Sequence, residues 1–287
     1  MFKELFRPVV TPMIEFPVCK TVVKTLVETT FVQNRALDFV FWKNSSGLTK
    51  LEKEEFKKTI NKIKKGEKVS FSDFGDFIRR NCRISGTECF DNFENTAVLI
   101  LSNHPTDGPL GGWAPTLIAS SEIRRKTGKE TLWTHGEDKS TFQTVARRKI
   151  SENSGSTILV RGATSYDGTR QIIKAFQEKN IVGIHPEGDG SNKLGRAVAD
   201  AGHFILYAAK KGMPIICSVG FFDQEIGKIK LTFFKIDPEE IGKLTKDEAS
   251  NQDAILQNRQ EIADYVMAEI AKRLPENKRG YYKNRIT

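Results

Sequence analysis

The chain has 287 residues, of which 38% are hydrophobic and 28% charged, and 45 Lys and Arg against 36 Asp and Glu leave a formal charge of +9. That length can bury one large core, and the content of Phe, Val and Ile excludes collagen-like, mucin-like, disulfide-scaffold and disordered classes. Excess positive charge points to an anionic partner: a membrane surface, a phosphate-bearing small molecule or nucleic acid, the last being the weakest because its basic-aromatic pattern is missing.

In chain order, Met1–Pro8 shows no basic, apolar and small-residue succession of a signal peptide, and no apolar run reaches eighteen residues, so an intracellular location without a spanning helix is expected. Cys19, Cys82, Cys89 and Cys217 have no zinc-ligand spacing and read as free thiols, Cys217 within a buried strand. Helical periodicity runs from Lys20 to Trp42, then over Leu51–Lys65 with Leu51, Phe56, Ile60 and Ile63 as one stripe, then over Ser72–Asn81. This defines a helical N-terminal segment, residues 1–82. Its first helix mixes Lys and Arg with Val, Leu, Phe and Trp, a composition suited equally to a membrane interface and to packing on a core.

Beyond it, residues 83–287 alternate between two periodicities. Strands are predicted at Thr96–Ser102, Ser156–Val160, Ile181–Ile184, Pro214–Val219 and Ile229–Phe234. Helices are predicted at Gly111–Arg125, Lys139–Lys149, Thr169–Lys179, Arg196–Lys211 and Gln252–Arg273, the last stopped by Pro275. The fold class is therefore α/β: a mostly parallel central sheet flanked by helices, with a helical lead-in. Ligands of such sheets sit where loops leave the carboxyl ends of strands.

Three of those loops carry candidate chemistry. Ser102-Asn103-His104-Pro105-Thr106-Asp107 places an imidazole three residues from a carboxylate, a pair suited to general-base work, although the same residues also make an ordinary turn and helix cap. Arg161 at the end of Thr157–Val160 offers a planar fork for a phosphate, or is a surface arginine. His185-Pro186-Glu187-Gly188-Asp189-Gly190 joins two glycines, which allow close backbone approach, to Glu187, which meets a substrate hydroxyl, orients a basic residue or caps the next helix. A fourth segment, Met213-Pro214-Ile215-Ile216, reads as a buried strand entered by proline. Neither a Walker loop, a dinucleotide fingerprint nor a Gly-x-Ser-x-Gly elbow is found, which weighs against a hydrolase of another class.

The order of these blocks resembles the glycerolipid acyltransferase family, which includes lysophosphatidic acid (1-acyl-sn-glycerol-3-phosphate) acyltransferases. The blocks are Asn103-His104 with Asp107, a strand ending in Arg161, Pro186-Glu187-Gly188, and the strand with Pro214. Gly202-His203-Phe204, Leu274-Pro275-Glu276 and Arg279-Gly280-Tyr281 add to the likeness, which spans Arg83 to Tyr282. One departure stands out: two residues separate His104 from Asp107 where the family usually has four, and Pro109 occupies the usual acid position. Glu137 and Asp138 are reserve acids.

The resemblance implies a phospholipid-synthesising acyltransferase of lipid metabolism, cytoplasmic and peripheral at the membrane. His104 is then the general base, with Asp107 as its orienter, and Asn103, Arg161, Glu187 and Gly188 bind substrate. Acyl-CoA or acyl carrier protein is the co-substrate and a lysophospholipid the acceptor; no metal, cofactor or nucleic acid is implied. Glycerol 3-phosphate is an alternative acceptor, and the short His–Asp spacing also fits a lipid-binding module that has lost catalysis.

Overall fold

The structure, a computed structural model, describes residues 30–45, 47–93, 95–108, 110, 113–136, 149–150, 152–154, 157–160, 166–245 and 252–286. Arg161, Glu137 and Asp138 lie outside the described residues, as do Cys19, Lys20–Thr29 of the first predicted helix and all but the end of the helix predicted at Lys139–Lys149.

Three helices open the described chain: α1 (Thr30–Asn44), α2 (Lys50–Lys64) and α3 (Phe71–Ile78). The last two start at reciprocal caps, Thr49 with Glu52 and Ser70 with Asp73, so that each first turn has side-chain partners for its open amides. Phe56, Ile60 and Ile63 of α2 are buried as their spacing predicts, but Leu51 is 53% exposed. Five residues correspond to about 500° of helix, which leaves Leu51 about 140° round from Phe56 and off the stripe. Ala36 and Leu37 of α1 are fully buried, and Phe41 meets Phe56 at 5.4 Å, so the described part of α1 lies on the protein core.

Among the described residues seven strands form one sheet: β1 (Cys82–Ser85), β2 (Val98–Ser102), β3 (Thr131–Gly136), β4 (Thr157–Val160), β5 (Ile181–Ile184), β6 (Ile215–Asp223) and β7 (Lys228–Ile236), in the order β1-β7-β6-β2-β5-β3-β4. The five from β6 to β4 run parallel; β7 returns antiparallel from β6 as a hairpin, and β1 follows β7. Flanking helices are α4 (Ala114–Thr127), α5 (Tyr166–Gln177), α6 (Ala199–Lys210), α7 (Pro238–Leu244) and α8 (Gln252–Lys272). β1, β3 and α7 were not expected. β1 is short and alternates polar with apolar residues, and Thr131-Leu-Trp-Thr-His-Gly carries too little apolar run to stand out.

Side chains of β2 alternate between two cores, as a strand covered on both faces requires. Val98 and Ile100 join the cluster under α1–α4, while Leu99 and Leu101 join the one under α5, α6 and α8. The chain leaving β2 goes to α4 on the first face, and the chain leaving the adjacent β5 goes to α6 on the second. Two neighbouring strands whose exits diverge open a crevice at their carboxyl ends.

One glycine shapes the sheet beside that crevice. Gly183 of β5 pairs in register with Trp133 of β3, and a β-carbon on it would lie 2.3 Å from the indole. Trp133 is 2% exposed and its Nε1 donates to Ser120 Oγ at 2.8 Å, so the ring has nowhere to go. Gly183→Ala is expected to destabilise the fold by about 1–3 kcal/mol, as overpacking of a filled core does; urea denaturation would measure it.

Candidate functional site

The loops after β2 and β5 are stitched together by their main chains. Asn103, 3% exposed, sends its Nδ2 to the Gly220 carbonyl and receives the Gly220 amide on Oδ1, both at 2.8 Å. The side chain thus continues the β2–β6 pairing beyond Ser102 and Ser218 while its own backbone turns away. His104 then donates its amide to Glu187 Oε1 at 3.0 Å and accepts from the Ser191 amide at 3.0 Å, and Thr106 N donates to Ser191 O at 3.3 Å. Glu187 Oε2 accepts from Gly195 N at 2.8 Å. This buried carboxylate therefore bridges the two loops, and burial pushes its pKa up against the two amides that hold it down.

The imidazole of His104 is half-buried and sits in a column of rings. It stacks on His185 with centroids 4.5 Å apart and planes 23° from parallel, and His185 stacks in turn on Trp133 at 5.1 Å and 16°. Gly190 lies against the edge of the ring, where a β-carbon would fall 3.0 Å from His104 Nδ1, an atom that is itself buried. His185 is anchored at both nitrogens. Nδ1 lies 3.0 Å from the Ser102 carbonyl, which can only accept, and Nε2 lies 3.4 Å from Thr116 Oγ1. It is held neutral with its proton on Nδ1.

Burial, with the nearby His104 adding to it, pushes the His185 pKa down to about 3. The unfolded chain therefore takes up a proton near pH 6.5 that the folded chain refuses until about pH 3, and this contribution to stability is lost as pH falls through that window. The slope is at most about 1.4 kcal/mol per pH unit. Glu187, raised when folded, contributes in the opposite sense above its unfolded pKa. Urea denaturation of wild type and His185→Phe between pH 7 and pH 4 is expected to show a shallower acid loss in the variant.

Asp107 Oδ2 accepts from Lys278. Lys278 belongs to a 3₁₀ turn, Glu276–Lys278, whose neighbourhood is also pinned to the loop after β5: Leu194 N donates to Lys278 O and Tyr281 N to Leu194 O, both at 2.9 Å. The Tyr282 hydroxyl accepts from Ala197 N at 2.9 Å and donates to Asp264 at 2.6 Å. A narrow cleft opens between these segments, walled by His104, Asn192, Lys193 and Lys278 and by apolar Phe221 and Leu274.

Of the residues expected at the site, the structure brings Asn103, His104, Asp107, Glu187 and Gly188 together on these two loops. Gly188, at φ 74°, is exposed at the turn. The amide of Asn103 and the carboxylate of Glu187 are occupied by main chain. Sequence reading missed Trp133, His185, Thr116 and Lys278; His185 stands at the head of a candidate loop, but its role depends on a strand that periodicity did not reveal. Cys82, Cys89 and Cys217 carry free thiols, and Cys217 is buried in β6 as expected. Among the described residues no helix is long and apolar enough to cross a membrane.

No protein-family model matches the chain, and no curated protein matches it. Among solved structures it is similar to the 1-acyl-sn-glycerophosphate (LPA) acyltransferase PlsC from Thermotoga maritima. The TM-score is 0.43 and the identity 13%, over 86% of this chain and 100% of that one.

Proposed function

We propose that the protein is an acyltransferase that moves a fatty acyl group from acyl-CoA or acyl carrier protein to a glycerol hydroxyl of a lysophospholipid at a membrane surface, with His104 as general base. The observation that carries this reading is the His104 imidazole at the carboxyl end of β2, braced through its backbone by Glu187 and opening on a cleft with two lysines and an apolar wall. The order of the sequence blocks supports the same chemistry. With Nδ1 covered by Gly190, Nε2 is the nitrogen that takes the hydroxyl proton as the oxygen attacks the thioester carbonyl; collapse of the adduct expels the thiolate, which recovers that proton. The resemblance gives the acceptor phosphate to Arg161. Asn103 and Glu187 serve this reaction by holding the loop rather than by touching substrate.

The test is free-thiol release from a long-chain acyl-CoA and an acyl carrier protein thioester, with and without lysophosphatidic acid, other lysophospholipids and glycerol 3-phosphate. Acceptor-dependent release is expected. Silence across the panel would overturn the reading. One observation favours a second: Asp107 is engaged by Lys278. A lipid-binding module that has lost catalysis would float with anionic vesicles and consume no thioester.

A further inference from the structure

We propose that His185 is a positioning residue for His104: as the middle ring of the column Trp133–His185–His104, it sets the plane in which His104 meets the cleft. The proposal rests on the reading of His104 as the base. Main-chain bonds to Glu187 and Ser191 fix where the His104 backbone lies. They do not fix its ring, because rotation about the last bond of a histidine is broad and roughly two-fold. The ring plane needs a neighbour, and His185 is built to be a rigid one. Ser102 O and Thr116 Oγ1 hold opposite edges of it, one from the end of β2 and one from α4. Behind it Trp133 is held by Ser120 and lies over the space that Gly183 leaves open. On the far side, Gly190 closes one edge of His104.

The same anchoring separates the two imidazoles by role. Both nitrogens of His185 are committed to the framework, and burial keeps the ring uncharged across the physiological range, so it does not compete with its neighbour for a proton. Among the described residues, the charged groups around the column and cleft are Glu187 and Lys193 on the loop after β5, Asp107 on the loop after β2, and Lys278. The hydrogen bonds of His185 go instead to Ser102 and Thr116.

The test compares His185→Phe, which keeps a flat ring and loses both hydrogen bonds, with His185→Gln, which keeps polar contacts and loses the ring. Two readouts are followed: kcat and KM for thiol release, and the ring-proton resonances of His104, assigned by their disappearance in His104→Ala. Stacking is expected to hold those resonances upfield in wild type and in His185→Phe. In His185→Gln the displacement is lost and kcat falls on the order of 10- to 100-fold, the scale of a misplaced catalytic group, with KM little changed. Gln matching or outperforming Phe, or unchanged His104 resonances in a folded Gln variant, would overturn the proposal. If His185→Gln does not fold, His185→Leu keeps apolar bulk in the column and loses the flat ring, and must lose the same upfield displacement; its retention overturns the proposal. Because the resonances are read without substrate, a wild-type protein inactive toward every acceptor would sink the acyltransferase reading, while the resonances would still decide whether His185 sets the ring plane.

Discussion

His104→Ala is expected to lower acceptor-dependent thiol release by about 10²–10⁴-fold, the range lost with a positioned general base. Folding should be little affected. Alanine keeps the amide that reaches Glu187 and the carbonyl that receives Ser191, so the stitching of the two loops survives. What is lost is a half-buried ring between His185 and Gly190. That vacancy has the shape of an imidazole, and added imidazole is expected to restore part of the rate. Thiol release with and without imidazole, alongside a thermal melt, checks both halves. A variant with undiminished turnover and an intact melt would move the base elsewhere.

Glu187→Ala is expected to damage both stability and activity. Two amides, His104 N and Gly195 N, lose their acceptor at once. Buried donors left unpaired cost about 1–3 kcal/mol each, so a loss of about 2–4 kcal/mol is expected with some water entering. The loop carrying His104 is then tied to the loop after β5 through Ser191 and through the Thr106 hydroxyl, which donates to Asn192 Oδ1, and kcat should fall with the loss of the carboxylate bridge. Glu187→Gln retains one acceptor oxygen and turns an NH₂ toward the other amide, so it should lie between alanine and wild type. Urea denaturation and steady-state kinetics on the three proteins give the ranking. Equal kcat in all three would mean that the bridge does not govern where His104 stands.

The parallel sheet was legible because Val98–Leu101 of β2, Ile181–Ile184 of β5 and Ile215–Cys217 of β6 are runs without a charged or polar residue, as strands covered on both faces need. Their exits were legible too, since Asn103-His104-Pro105 and Pro186-Glu187-Gly188 begin two residues after the last apolar strand residues, Leu101 and Ile184. What periodicity does not carry is the direction in which a polar side chain at a strand end turns. Asn103 and Glu187 turn inward to main chain, and nothing in their spacing distinguishes that from turning outward to a ligand. Trp133 stayed hidden because its strand lacks alternation, and with it the partner of His185. Lys278 lies 171 residues from the carboxylate it meets, a distance over which only the folded topology has anything to say.

That separation has a consequence for how the protein is made. The sheet and both of its crevice loops leave the ribosome well before Lys278, Tyr281 and Tyr282 do, so a nascent chain carries an unfinished cleft whose Leu194 and Asp107 have yet to meet their clasps. The cleft is therefore closed by residues that follow the whole sheet in the order of synthesis, and its final geometry forms only after the sheet that carries it.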